Sequence, residues 1–147
     1  MTEGNGMIFA GINYLAVLAA AITGFVVGAV WYGILGRHWM AAAEIDPARL
    51  KGEGGGNPQK GPMLVGAVAN LIMAFMLAGV IGHLGQDTVT VRNGIISAAF
   101  IWAGFVVTTL AVNYAFQGKK VLLTVIDGGH WLLVLLIQGA VIGYLGV

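Results

Sequence analysis

A chain of 147 residues with 59% hydrophobic and only 9% charged residues, at a mean hydropathy of +0.89, cannot cover a water-facing surface; soluble domains carry about a quarter charged residues. Its seven basic and six acidic residues leave a net charge of +1, which is uninformative about nucleic acid, and no basic run is long enough to suggest that partner, so none is expected. The absence of cysteine excludes disulfides, Cys-ligated zinc and thiol chemistry.

The predicted fold class is all-α: an integral membrane protein of four antiparallel transmembrane helices forming one domain over 1–147. The first apolar stretch runs from Ile8 to Leu35. Met1 to Gly6 has no Lys or Arg and the apolar run exceeds a signal core, so the stretch is expected to be retained rather than cleaved. The polar segment Gly36 to Pro62 follows. Arg37 to Glu44 within it reads as a short amphipathic interfacial helix, with Trp39 at headgroup depth. Asp46-Pro47 reads as a cap starting a turn through Leu50, and Gly52 to Gly61 as a flexible loop. The second stretch is Met63 to Leu84, the third Gly94 to Phe116 and the fourth Val121 to Val147. All four reach the roughly 20 residues that a bilayer crossing needs. Breaks as short as Gly85 to Asn93 and Gln117 to Lys120 make consecutive helices antiparallel neighbours. Arg37, Arg49, Lys51, Lys60, Lys119 and Lys120 fall on one side and Arg92 alone on the other. This predicts that loops 36–62 and 117–120 are cytoplasmic and both termini outside.

Small residues recur at intervals of four: Ala16, Ala20, Gly24 and Gly28 in the first helix; Gly66, Asn70, Ala74, Ala78 and Gly82 in the second; Gly139 and Gly143 in the fourth. Each set shares one face, which either packs the four helices together or meets another subunit. Polar residues at membrane depth are costly and need partners. Asp127 lies about 10 Å past Lys120 if the fourth helix is continuous, with His130 one turn on. Asn70, Thr108, Thr109 and Tyr32 come to similar depth. The expected polar cluster is therefore Asp127, His130, Asn70, Thr108 and Tyr32.

Two readings of it compete. In one, Asp127 and His130 form a titratable pair that handles a proton, a cation or a polar substrate. In the other, Asp127 is the N-cap of a helix beginning at Gly128, near the cytoplasmic interface. Asn13 and Asn113 read as interhelical hydrogen-bonding glue, and Trp31, Tyr32 and Trp39 as an interfacial aromatic belt. Trp102 and Trp131 lie deeper, where packing is the default and a pigment, quinone or lipid tail the alternative. His38 and His83 occupy opposite ends and cannot join one metal site, and no nucleotide loop or nucleophile elbow is present.

Asn13-Tyr14-Leu15-Ala16-Val17, Gly28-Ala29-Val30-Trp31-Tyr32 and Trp39 open a resemblance that spans essentially the whole chain. It continues through Trp102-Ala103-Gly104-Phe105, Asn113-Tyr114, Gly118-Lys119 and Ile126-Asp127-Gly128-Gly129-His130-Trp131. On these residues the chain resembles the bacterial membrane-protein family catalogued as domain of unknown function 1761, with Gly-x-x-Trp-Tyr as the most specific element. The resemblance implies a small four-helix protein of the bacterial cytoplasmic membrane and brings no activity, substrate or cofactor with it. The expectation is a non-enzymatic protein of the lipid bilayer acting by association, as a homo-oligomer or an accessory subunit of a larger membrane complex. A small transporter or channel built on Asp127 and His130 is the alternative, and lipid, quinone or pigment binding a third. No cofactor or metal is expected.

Overall fold

A computed structural model describes residues 11–48 and 59–147. The expectations for Ile8 to Ala10, for Arg49 to Pro58 and for most of the Gly52 to Gly61 stretch lie outside the described residues. Five α-helices are present among the described residues: α1 (Tyr14–Ala43), α2 (Lys60–His83), α3 (Val91–Ile101), α4 (Val107–Phe116) and α5 (Val121–Leu145). A π-helical turn, Trp102–Val106, joins α3 to α4, so that Val91–Phe116 forms one span. Among the described residues, four helical spans are thus long and apolar enough to cross a membrane.

Among the described residues no distinct interfacial helix follows the first span, which corrects the expectation for Arg37 to Glu44. Instead α1 continues without a break for 30 residues, about 45 Å. Nothing in Arg37 to Ala43 breaks a helix, and Ala42 and Ala43 gain burial beside Leu123 and Tyr114 by staying on it. The helix stops at Glu44, whose backbone turns left-handed (φ 60°). Lys119 and Lys120 donate from Nζ to the carbonyls of Ala43 and Ala41, which lack helical partners there. At the other end Asn13 caps α1, accepting from the Ala16 amide at 3.2 Å, and its Nδ2 donates to the Leu145 carbonyl at the end of α5. Asn13 therefore joins two helices, as expected. Pro62 sits in the first turn of α2, where its missing N–H costs nothing.

The fourth span, α5, is the hub: α1 packs along one side and α3 along another, and α2 lies mainly against α1. Lipid tails are as apolar as a core, so close backbone approach rather than hydrophobic burial holds such helices together. The core is accordingly small: Ala20, Ala74, Ala78 and Ala98 are fully or almost fully buried, with Ile81 and Ile142. Gly139 lies backbone to backbone on Gly94, where an added Cβ would sit 2.8 Å from the Gly94 carbonyl carbon and 3.2 Å from the Ala98 methyl. One turn on, Gly143 receives Thr90 and Val91 in the same way. Large apolar side chains point outward instead, among them Leu15, Ile34, Leu64, Phe100, Phe105 and Val125.

Candidate functional site

The helix α5 runs unbroken through Gly128-Gly129, which corrects the N-cap reading of Asp127. The helix begins after Lys120, whose carbonyl already accepts the Leu123 amide. Asp127 is therefore about 9 Å inside the span and buried, 6% exposed. The two glycines stay helical because large neighbours close over them. A Cβ on Gly129 would lie 3.0 Å from the Trp31 ring, and one on Gly128 would touch Val107.

Asp127 joins three helices. The Tyr32 hydroxyl of α1 donates to its Oδ1 at 2.6 Å, and the Tyr114 hydroxyl of α4 donates to its Oδ2 at 2.6 Å. Both distances are in the short range of hydrogen bonds to a carboxylate. Two indoles reinforce the same stretch of α5. Trp31 Nε1 donates to the Ile126 carbonyl at 3.1 Å, and Trp102 Nε1 to the Gly128 carbonyl at 2.8 Å. His130, 5% exposed, lies one turn further along α5, its ring 4.8 Å from that of Tyr32 and 4.5 Å from that of Trp131. Gly28 faces it: a Cβ there would sit 2.8 Å from Nε2. The Nδ1 atom of His130 has no hydrogen-bond partner among the described residues. Gly28, Trp31 and Tyr32 on α1 thus pack directly on Ile126, Asp127, Gly129 and His130 on α5.

A second polar node lies further along the same face of α5, about 16 Å from Asp127. Gln138 is fully buried there, and its Nε2 donates to the Asn70 carbonyl at 3.1 Å and to Asn70 Oδ1 at 3.3 Å. Asn70 Nδ2 donates in turn to the Gly66 carbonyl. Gly24 makes the room: a Cβ on it would stand 2.5 Å from Asn70 Oδ1 and 2.8 Å from Gln138 Nε2. Val134, 0% exposed, separates the two nodes.

Of the expected cluster, the structure brings together Asp127, His130 and Tyr32. Asn70 belongs to the Gln138 node instead. Thr108 is at the right depth but on the outer face of α4, its Oγ1 donating to the Gly104 carbonyl, and Thr109 similarly donates to Phe105. Asn113 is also exposed on α4. Gly24, Gly28, Gly139 and Gly143 all serve helix packing within the chain. Trp39 stands edge-on to Tyr32 at 5.8 Å, on the loop side of the clasp. Sequence reasoning missed Tyr114 and Gln138. The four-residue break before α5 holds Tyr114 against it, and Gln138 stands three turns beyond Asp127 on one face.

Chemically, the clasp that joins α1, α4 and α5 is built on the Asp127 carboxyl group. Its carboxyl group has two phenolic partners and an imidazole one turn away, and no Lys or Arg pairs with it among the described residues. No three His, Cys, Asp or Glu side chains among the described residues are placed to hold a metal ion. The chain belongs to the family described as protein of unknown function (DUF1761), whose model matches residues 15–143 and so includes both halves of the clasp. No curated protein and no solved structure matches it.

Proposed function

We propose that this membrane-embedded protein binds and releases a proton at Asp127, as the working site of a small proton-coupled transporter or channel. One observation carries the reading: a carboxyl group inside a membrane span is held on both oxygens by neutral phenols instead of by a cation. A permanently charged carboxylate in lipid is costly and is ordinarily paired with a positive group. Phenols suit a group that changes charge, because they donate to a carboxylate and one of them can accept from a carboxylic acid. His130 offers the neighbouring station for that proton. By the Lys and Arg placement the clasp lies in the cytoplasmic half of the bilayer. Protein reconstituted in vesicles with an internal pH dye tests this: Asp127→Asn should abolish a flux that the unaltered chain supports. Equal flux from both would remove Asp127 from any such role.

Association is the second reading, and its support has moved to a different face. The glycine faces are occupied within the chain, whereas only Gly94 and Ala98 of the Val91–Phe116 span are buried. Thr108, Thr109, Val112 and Asn113 line an open depression of about 260 Å³ on its outer side. Native mass spectrometry of gently extracted protein would read a homo-oligomer or a fixed-stoichiometry complex directly, and a monomer alone would remove this reading.

A further inference from the structure

The two halves of the third span meet α5 in different ways. In α3, Gly94 lies on Gly139 and Thr90 on Gly143, so that backbone touches backbone, and Ala98 is fully buried between them and the core. No residue of α4 is fully buried, and it reaches α5 through side chains. These are Val107 over Gly128 and the Tyr114 hydroxyl on Asp127. Between the halves stands the π turn, in which the Val107 amide bonds to the Trp102 carbonyl five residues back.

Such a turn accommodates an extra residue in weaker geometry and is a place where helices bend. Gly104, at its centre, has nothing within 4 Å of where a Cβ would be. Thr108 and Thr109 donate back to the carbonyls of Gly104 and Phe105, a bond type that itself favours bending. Trp102, at the start of the turn, is pinned to the Gly128 carbonyl.

We propose that Trp102–Val106 is a hinge: α3 stays fixed on α5 while α4 swings, and the Tyr114–Asp127 hydrogen bond is the latch that holds α4 closed. Thr108 then belongs to the hinge rather than to the polar cluster. The latch shares Asp127 with the proposed proton site, and the hinge rests on the geometry of α4 alone. The hinge is measured by distance without any proton readout, so the two stand or fall separately.

The chain has no cysteine, so spin labels can be placed at will. One pair, Val112→Cys with Val125→Cys, joins the exposed faces of α4 and α5. The control pair, Phe100→Cys with Leu133→Cys, joins α3 and α5. Tyr114→Phe removes the latch hydroxyl and keeps the ring. It should lengthen the α4–α5 distance by about 2 Å or more, the scale of helix shifts in switching proteins. The α3–α5 distance should not change. An unchanged α4–α5 distance overturns the hinge, and so does an equal shift in both pairs, which would report general loosening.

Discussion

Asp127 receives one hydrogen bond on each oxygen from phenols of different helices, and removing either hydroxyl leaves one oxygen buried without a partner. Tyr32→Phe and Tyr114→Phe should each lower stability by about 1–3 kcal/mol, read as reduced thermal stability in detergent. Gly28 makes a second residue-scale prediction. A methyl group there meets His130 Nε2 at 2.8 Å, so Gly28→Ala should cost about 1–3 kcal/mol. Adding His130→Ala removes the atom in the way and should make Gly28→Ala nearly free of further cost in that background. If Gly28→Ala costs the same with or without His130, the two do not meet as described. Both predictions follow from side chains whose depth the sequence gives and whose face it does not. Asp127, His130 and Tyr32 could be placed by counting from the loops. Thr108 was equally deep but turned elsewhere, because depth along a helix says nothing of its rotation, whereas Asn70 meets Gln138 about 16 Å along α5 from Asp127 and so differs in depth.

At the scale of elements, the Asn70–Gln138 node ties α2 to α5 past Gly24. Gln138→Leu alone leaves Asn70 Oδ1 buried without its donor, a loss of about 1–3 kcal/mol, while Asn70→Leu alone costs less because Gln138 Nε2 keeps the backbone carbonyl of residue 70. The double variant removes both and should unfold at a temperature closer to the unaltered chain than the worse single variant. A double variant that merely sums the two losses would mean that the residues act independently. The number, type and approximate ends of the spans were legible because each apolar run has bilayer length and polar residues divide them. Two features were not. Arg37 to Ala43 carries charge that suggests an interface, yet Ala42 and Ala43 are drawn onto α1 by contacts with Leu123 and Tyr114. Gly128-Gly129 looks like a helix start, yet Trp31 and Val107 close over the pair and α5 runs on. Both corrections come from partners distant in sequence, which no local pattern reveals.

Over the whole molecule, α5 meets each of the other spans and carries both polar nodes on one buried face. The protein is thus organised around a polar column inside an apolar exterior. Its orientation has a direct check. A single cysteine at Gln117 should label only from the cytoplasmic side, and one at Asp87 only from the opposite side, since six of the seven Lys and Arg residues fall at the Gln117 end. The reverse pattern would put Asp127 in the outer half and invert the direction from which its proton comes. The lipid, quinone or pigment reading draws on Trp31, Tyr32, Trp102 and Trp131. The first three already bond to α5 backbone or to Asp127, which leaves less of their surface for a ligand.

The central claim is that Asp127 changes its proton occupancy within the folded protein. Infrared difference spectroscopy of the reconstituted chain, recorded between acid and alkaline pH, reads this without assuming transport. The expected result is a carboxylic-acid carbonyl band that disappears as pH rises and is missing in Asp127→Asn. A spectrum with no such band, or one in which Asp127→Asn leaves it in place, would contradict the account and leave Asp127 as a fixed clasp between three helices.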